Sequence, residues 1–310
     1  MNRIYYSTFL LLLSLLLLCL TACEPGSYQQ KAGTTRFVAT TSILADAVKN
    51  IVGDSAVAIS IMGPGVDPHL YKPTQGDLRR LTRSTMVIYN GLHLEGKMGE
   101  VLEKLSRLKP IVAAADGIPK EKLRQAAEFQ DSYDPHIWFD VALWKDAVQH
   151  ISKQIQQQDP DNAAYYQKRT ERYVQQLDSL DNWVQAQIQT IPQKQRILIT
   201  AHDAFGYFGD AYQVQVRGLQ GISTMSEFGL RDVSELVDFI VTNNIKAVFV
   251  ETSVSEKSIK AVVSGCRSKG HEVKIGGTLY SDALGAKKSE AGTYIGMVRS
   301  NVNTIVSALK

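Results

Sequence analysis

The amino-acid sequence predicts an α/β protein of two lobes, each a mainly parallel sheet flanked by helices, joined by one long helix. Three observations carry this reading. Short β-branched runs alternate with helix-patterned segments in both halves of the 310-residue chain, the order that gives parallel sheets with covered faces. A stretch of about 30 residues near the middle, Asp161 to Thr190, holds neither Gly nor Pro and would span about 45 Å as one helix. The composition is 44% hydrophobic and 21% charged, which is that of a globular protein and excludes disorder, collagen and coiled coil as the main class.

The chain opens with Met1-Asn2-Arg3, runs through an apolar stretch from Ile4 to Leu20, and leaves it on Thr21-Ala22. A basic start, apolar middle and small-residue exit mark residues 1–22 as an export signal. Leu20-Thr21-Ala22-Cys23 resembles a bacterial lipobox, which implies cleavage before Cys23 and attachment to a membrane through its acylated sulfur. The apolar run is close to the ~17-residue minimum for a bilayer span, so an uncleaved anchor is the competing reading; the small residues before the cysteine favour cleavage. Residues 23–35 are polar and carry Pro25, Gly26 and Ser27, the composition of a flexible tether.

Residues 36–158 form the expected N-terminal lobe. Strand candidates are 36–40, 57–62, 86–90 and 110–115; helix candidates are 42–51, 75–83, 98–108 and 141–157. Residues 159–192 form the linking helix. Asp159-Pro160 suits an N-cap followed by the first helical position. Tyr166, Tyr173, Leu177, Leu180, Val184 and Ile188 fall on one helical face, and Pro192 stops the run. With no Gly or Pro inside it, such a helix makes a stiff strut. Residues 193–310 form the C-terminal lobe, with strands at 196–200, 213–218, 247–251 and 273–277 and helices at 235–243, 256–265 and 294–309.

The net charge of +3 is small and scattered, and no basic run with interleaved aromatics occurs, so nucleic acid is not a partner. Of three cysteines, Cys19 leaves with the signal and Cys23 is acylated. Cys266 then stands alone, giving no internal disulfide and a thiol expected to be buried.

Chemistry centres on six histidines, at 69, 93, 136, 150, 202 and 271. Two share a context, Asp67-Pro68-His69 and Asp134-Pro135-His136. Proline fixes its own φ and holds the preceding Asp extended, so each imidazole is presented from a restrained turn with a carboxylate two residues upstream. His202 follows the strand candidate 196–200, and ligands of α/β sheets gather at strand carboxyl ends. Asp282 follows the candidate 273–277. Two of these four precede the linking helix and two follow it, so a shared site would lie between the lobes. Any one histidine taken alone is more often a surface or hydrogen-bonded group, and no HExxH, HxH or CxxC cluster is present. His150 reads as solvated and His271 as part of a turn. His93 alternates with leucines as a packed or supporting group, and Glu251 ends a strand as a non-ligand neighbour.

Together these segments resemble the zinc/manganese class of solute-binding lipoproteins of ABC transporters (solute-binding protein family 9). Gly63 to His69 with Tyr71-Lys72-Pro73-Thr74 resembles the first metal-ligand loop of that family, and Asn90 to Glu95 is similar to a motif that follows it. Asp134 to Trp138 resembles the second ligand loop, Thr200 to Phe208 the third and Ser281 to Gly285 the fourth. The resemblance runs from about Thr35 to the C-terminus. It implies one metal ion per chain, Zn2+ or Mn2+, held in the cleft by His69, His136, His202 and Asp282. It also implies no catalytic cofactor, a monomer, and an ABC permease with its ATPase subunit as partners.

Three imidazoles and one carboxylate suit tetrahedral zinc, and a wider arrangement with a bidentate carboxylate admits manganese. Manganese-dedicated members of the family carry Glu where His202 stands, which ranks zinc first, manganese second and iron third. The segment Asp116 to Tyr133 lacks the histidines of a zinc-specialist loop. Four protein ligands leave no necessary open position, unlike a catalytic zinc, so the protein is read as a carrier and not an enzyme. The alternatives are a zinc-dependent hydrolase, which needs a metal-bound water and a general base, and a surface adhesin lipoprotein with a structural metal.

Overall fold

The computed structural model describes residues 35–126 and 132–310. The expected export signal, the Cys23 expected to be acylated and the expected tether up to residue 34 lie outside the described residues. Among the described residues no helix is long and apolar enough to cross a membrane.

The first half builds a four-stranded parallel sheet from β1 (Arg36–Ala39), β2 (Val57–Ser60), β3 (Met86–Tyr89) and β4 (Ile111–Ala113), in the order β2-β1-β3-β4. Alternate residues bury opposite faces, as a pleated strand covered on both sides requires. Phe37, Ala39, Met86 and Ile88 join one apolar cluster, while Val38 and Val87 join another. Helix α1 (Ser42–Val52) covers the first face through Ile43, Ala47 and Ile51. Helices α2 (Gln75–Arg83) and α3 (Gly99–Ser106) cover the second through Leu81, Leu102 and Leu105.

Two antiparallel helices follow, α4 (Val141–Gln158) and α5 (Ala163–Gln189). Asp140 caps α4, its Oδ1 accepting from the amides of Ala142 at 2.8 Å and Leu143 at 3.2 Å. Removing that acceptor in Asp140→Ala is expected to lower stability by about 1 kcal/mol, read from the midpoint of urea unfolding.

The second half carries β5 (Ile197–His202) paired parallel with β6 (Gln215–Gln220), and β7 (Ala247–Glu251) paired parallel with β8 (Lys274–Leu279). Strand β5 also runs beside β7. Helices α7 (Leu230–Thr242) and α8 (Lys257–Ser268) bury one face of these strands around Ile199, Val248 and Val250. Helix α9 (Tyr294–Leu309) lies over the other. Gly276 is the extra residue of a bulge in β8, opposite the Val248–Phe249 step of β7. A Cβ there would stand 2.7 Å from that of Ala308, so glycine is what lets β8 pass beneath α9. Cys266 is buried within α8.

Helix α5 packs against α1 and α4 from the first half and α9 from the second. Its buried residues are the expected face, with Thr170 added. At about 1.5 Å per residue it is about 40 Å long.

Several boundaries differ from expectation, each for a local reason. The long helix starts at Ala163, after a 3-10 turn Pro160–Asn162. The Asp159 carboxylate accepts from Tyr166 Oη at 2.6 Å and from Asn162 Nδ2, so it caps no backbone amide. Residue Gln213, expected to open a strand, ends a short unforeseen helix α6 (Gly206–Tyr212) in left-handed conformation, with φ 58°. Strand β5 runs on to His202 instead of stopping at Thr200.

Candidate metal centre

The parallel arrangement brings strand carboxyl ends together, and the turns and ends that follow β2, β4, β5 and β8 carry His69, His136, His202 and Asp282. All four side chains are buried, between 0% and 1% exposed. One donor atom from each lies within 4.8 Å of the others. The ring centroids are 5.4 Å apart for His69–His136 and His136–His202, and 6.2 Å for His69–His202. His136 Nε2 is 3.5 Å from Asp282 Oδ1, and His202 Nε2 is 3.5 Å from Asp282 Oδ2. Two donors each ~2.0–2.1 Å from a tetrahedral zinc stand about 3.4 Å apart, so these separations already match one small cation.

The three Nε2 atoms and Asp282 Oδ1 have no hydrogen-bond partner although all are buried. Buried polar atoms are nearly always satisfied, and leaving one bare costs free energy. Four such atoms aimed at one point are what a cation would satisfy.

Each donor is oriented from behind. Asp134 Oδ1 accepts from the His136 amide at 2.9 Å and contacts its Nδ1 at 2.7 Å. This places the ring proton on Nδ1 and the lone pair on Nε2. In the other Asp-Pro-His turn, Asp67 Oδ1 accepts from the His69 amide at 2.8 Å. The His202 amide donates to Glu251 Oε1 at 2.9 Å, and its Nδ1 lies 2.5 Å from Oε2 at an angle outside ordinary hydrogen-bond geometry. Ser253 Oγ donates to Asp282 Oδ2 at 3.1 Å.

The electrostatics differ from ring to ring. Burial is the largest influence on His69 and pushes its pKa down to about 3, with Asp282 countering only in part. Burial acts the same way on His202, but Glu251 and Asp282 outweigh it and hold that imidazole protonated well above its usual range. For Asp282, burial favours the neutral acid, yet His202, His136 and His69 together keep the carboxyl ionised below the usual range. Without a cation, a proton on His202 takes part of the cation's place.

The remaining histidines stand apart from this cluster. His93 is exposed with φ 64°, His150 is half-buried on α4, and His271 Nε2 is 2.7 Å from the Ile245 carbonyl. Other contributors lie within segments that the sequence singles out, but their contacts are set only by the fold. Trp138 Nε1 donates to the Ser281 carbonyl at 2.9 Å, beside Asp282. Asn90 Nδ2 donates to the Pro135 carbonyl at 2.9 Å, and buried Glu95 accepts from the Asn90 amide and Thr40 Oγ1 at 2.7 and 2.6 Å. The Asn90 to Glu95 motif thus fastens the His136 turn and leaves His93 outside.

Known proteins share this chain's architecture and sequence. A family profile described as "Zinc-uptake complex component A periplasmic" (ZnuA) matches residues 37–308. The manganese-binding lipoprotein MntA of Bacillus subtilis is 52% identical over 292 residues, covering 94% of this chain and 95% of the relative. The zinc-binding protein TroA of Treponema pallidum is 44% identical over 277 residues, 89% of each chain. A solved structure of that periplasmic zinc-binding protein superposes with a TM-score of 0.87, covering 89% of this chain and 99% of the other. The Fe(III)-bound YtgA of Chlamydia trachomatis, at 25% identity, covers 89% of this chain and 98% of its own, with a TM-score of 0.80. With a family match over nearly all the described residues and two relatives above 40% identity, the chain belongs to the ZnuA family, whose members are substrate-binding components of ABC transporters and not enzymes.

Proposed function

We propose that this protein captures one divalent transition metal outside the cytoplasm and delivers it to an ABC permease driven by its ATPase subunit. In this reading His69, His136, His202 and Asp282 are the metal ligands. The observation that carries it is the set of four buried donor atoms, each without a hydrogen-bond partner, facing a common point. Zinc ranks first because three imidazoles and a carboxylate within this spacing suit its tetrahedral preference. Manganese ranks second, reached when both Asp282 oxygens bind. A relative named for manganese is 52% identical to this chain and one named for zinc 44%. Zinc also outcompetes manganese at almost any such site, so availability in the host selects the transported ion as much as geometry does.

The export signal at residues 1–22 and the acylated Cys23 complete the reading, holding a monomeric carrier on the outer face of a membrane by the tether at 23–35. The lobes are those bounded by residues 36–158 and 193–310, with the linking helix between them.

Elemental analysis of protein purified from its own host without added metal tests the proposal. One zinc or manganese per chain is expected; protein free of transition metal that also takes none up in calorimetry would contradict it. The support behind His202 makes a second prediction. Glu251→Gln keeps the volume but removes the charge that polarises the ring, and zinc affinity is expected to fall about tenfold, measured by competition with a chromogenic chelator.

A further inference from the structure

The two Asp-Pro-His turns are built alike but fastened differently. In the second, Asp134 Oδ2 lies 3.7 Å from Arg124 Nε, and Tyr207 Oη donates to the Asp134 carbonyl at 3.0 Å. In the first, Asp67 spends one oxygen on the His69 amide, and its other oxygen accepts from Thr224 Oγ1 at 2.7 Å. Thr224 lies 157 residues away, in the second half of the chain. It belongs to the segment between β6 and α7, residues 221–229, which forms no helix or strand.

That segment hangs from few points. Gln220 Nε2 donates to the carbonyls of Thr224 and Ser226, and the Ser226 amide donates to the Ser223 carbonyl. Its next residue, Met225, is 51% exposed, yet its sulfur reaches the first half. A Cβ built on Gly96 would stand 3.1 Å from Met225 Sδ and 3.5 Å from the His69 carbonyl. The segment therefore lies against Gly96, which also adjoins the His69 carbonyl, and among the described residues its side-chain hydrogen bond to the His69 turn is that of the Thr224 hydroxyl on Asp67.

We infer that Thr224 is a positioning residue that latches the 221–229 segment to the His69 turn and thereby sets how fast the bound cation leaves. This rests on His69 being a ligand, as proposed above. With the hydroxyl in place, Asp67 is held from both sides, and the His69 turn cannot swing away from the other three donors without breaking a hydrogen bond to a carboxylate. Such bonds are among the stronger ones, because the acceptor is charged. Without it, Asp67 still bonds the His69 amide, so the site assembles and binds one ion, but the turn opens more often.

The test is zinc release from the loaded protein into excess chromogenic chelator, followed by stopped flow, with thermal unfolding of the metal-free protein alongside. Thr224→Val keeps the shape and removes the hydroxyl; Thr224→Ser keeps the hydroxyl. Release from Thr224→Val is expected to be about tenfold faster than wild type, since a tenfold change corresponds to one such hydrogen bond. Thr224→Ser is expected to stay within about twofold of wild type, the hydroxyl bond being retained. The stoichiometry of one zinc is expected to be retained in both, the melting midpoint of Thr224→Ser to match wild type, and that of Thr224→Val to fall by only about 2–4 °C, the loss of one hydrogen bond. Unchanged release from Thr224→Val, or equally fast release from both variants, would overturn the latch while leaving the site reading intact. Wild-type protein that binds no zinc would overturn both.

Discussion

A His202→Ala protein is expected to lose zinc affinity by a factor of about 10²–10³, while His150→Ala binds as wild type. The magnitude follows from the binding free energy of structural zinc sites, about 10–16 kcal/mol, shared among four ligands, which leaves roughly 2.5–4 kcal/mol for each. His202 is a stringent choice because its removal also strands Glu251, whose Oε1 accepts from the residue 202 amide and whose Oε2 would then face an empty space. His150 is the fitting control because it is a histidine on the same chain, half-buried and remote from the cluster. Isothermal calorimetry on the three proteins reads the difference. Equal losses in both variants, or none in either, would defeat the ligand assignment.

Acidification is expected to weaken metal binding at least tenfold per pH unit, hence about 100-fold or more between pH 7.5 and 5.5, because each cation must displace at least one proton. The proton is on His202. Glu251 and Asp282 raise its pKa well above the usual imidazole range in the metal-free protein, so it holds its proton at a pH where a free imidazole has lost it. His69 adds nothing to that slope, since its pKa is pushed down to about 3. Calorimetry in buffers of differing ionisation enthalpy should show at least one proton released per zinc at neutral pH, and a pH-independent affinity would contradict the arrangement. The same two groups act oppositely on the stability of the metal-free fold. His202, raised on folding, contributes stability that is full below the unfolded value of about 6.5 and is lost as pH rises through its elevated folded value. His69, lowered on folding, contributes stability that is present above about 6.5 and is lost as pH falls toward its folded value.

Much of the architecture is legible in the residue order because it rests on local pattern. Strand and helix alternation gives the parallel sheets, and the Tyr166 to Ile188 spacing gives the buried face of α5. The two Asp-Pro-His turns are legible for the same reason: proline and a preceding carboxylate act within three residues, and the amide bonds from His69 and His136 to Asp67 and Asp134 are local. What escapes is long-range. Trp138 reaches Ser281 across 143 residues, and Thr224 reaches Asp67 across 157. No periodicity encodes such pairs, and only the folded chain brings them together. The start of α5 escapes for a subtler reason, since Tyr166 and Asn162 compete for the Asp159 carboxylate that a simple cap would use.

The central claim is that four side chains, two from each side of the long helix, close on a single cargo ion. Diffraction from zinc-loaded crystals, with data on both sides of the zinc absorption edge, tests it most directly. One anomalous peak is predicted, bonded to Nε2 of His69, His136 and His202 at ~2.0–2.1 Å and to the carboxylate of Asp282. A zinc ion held elsewhere, or one touching fewer than three of these residues, would contradict the account.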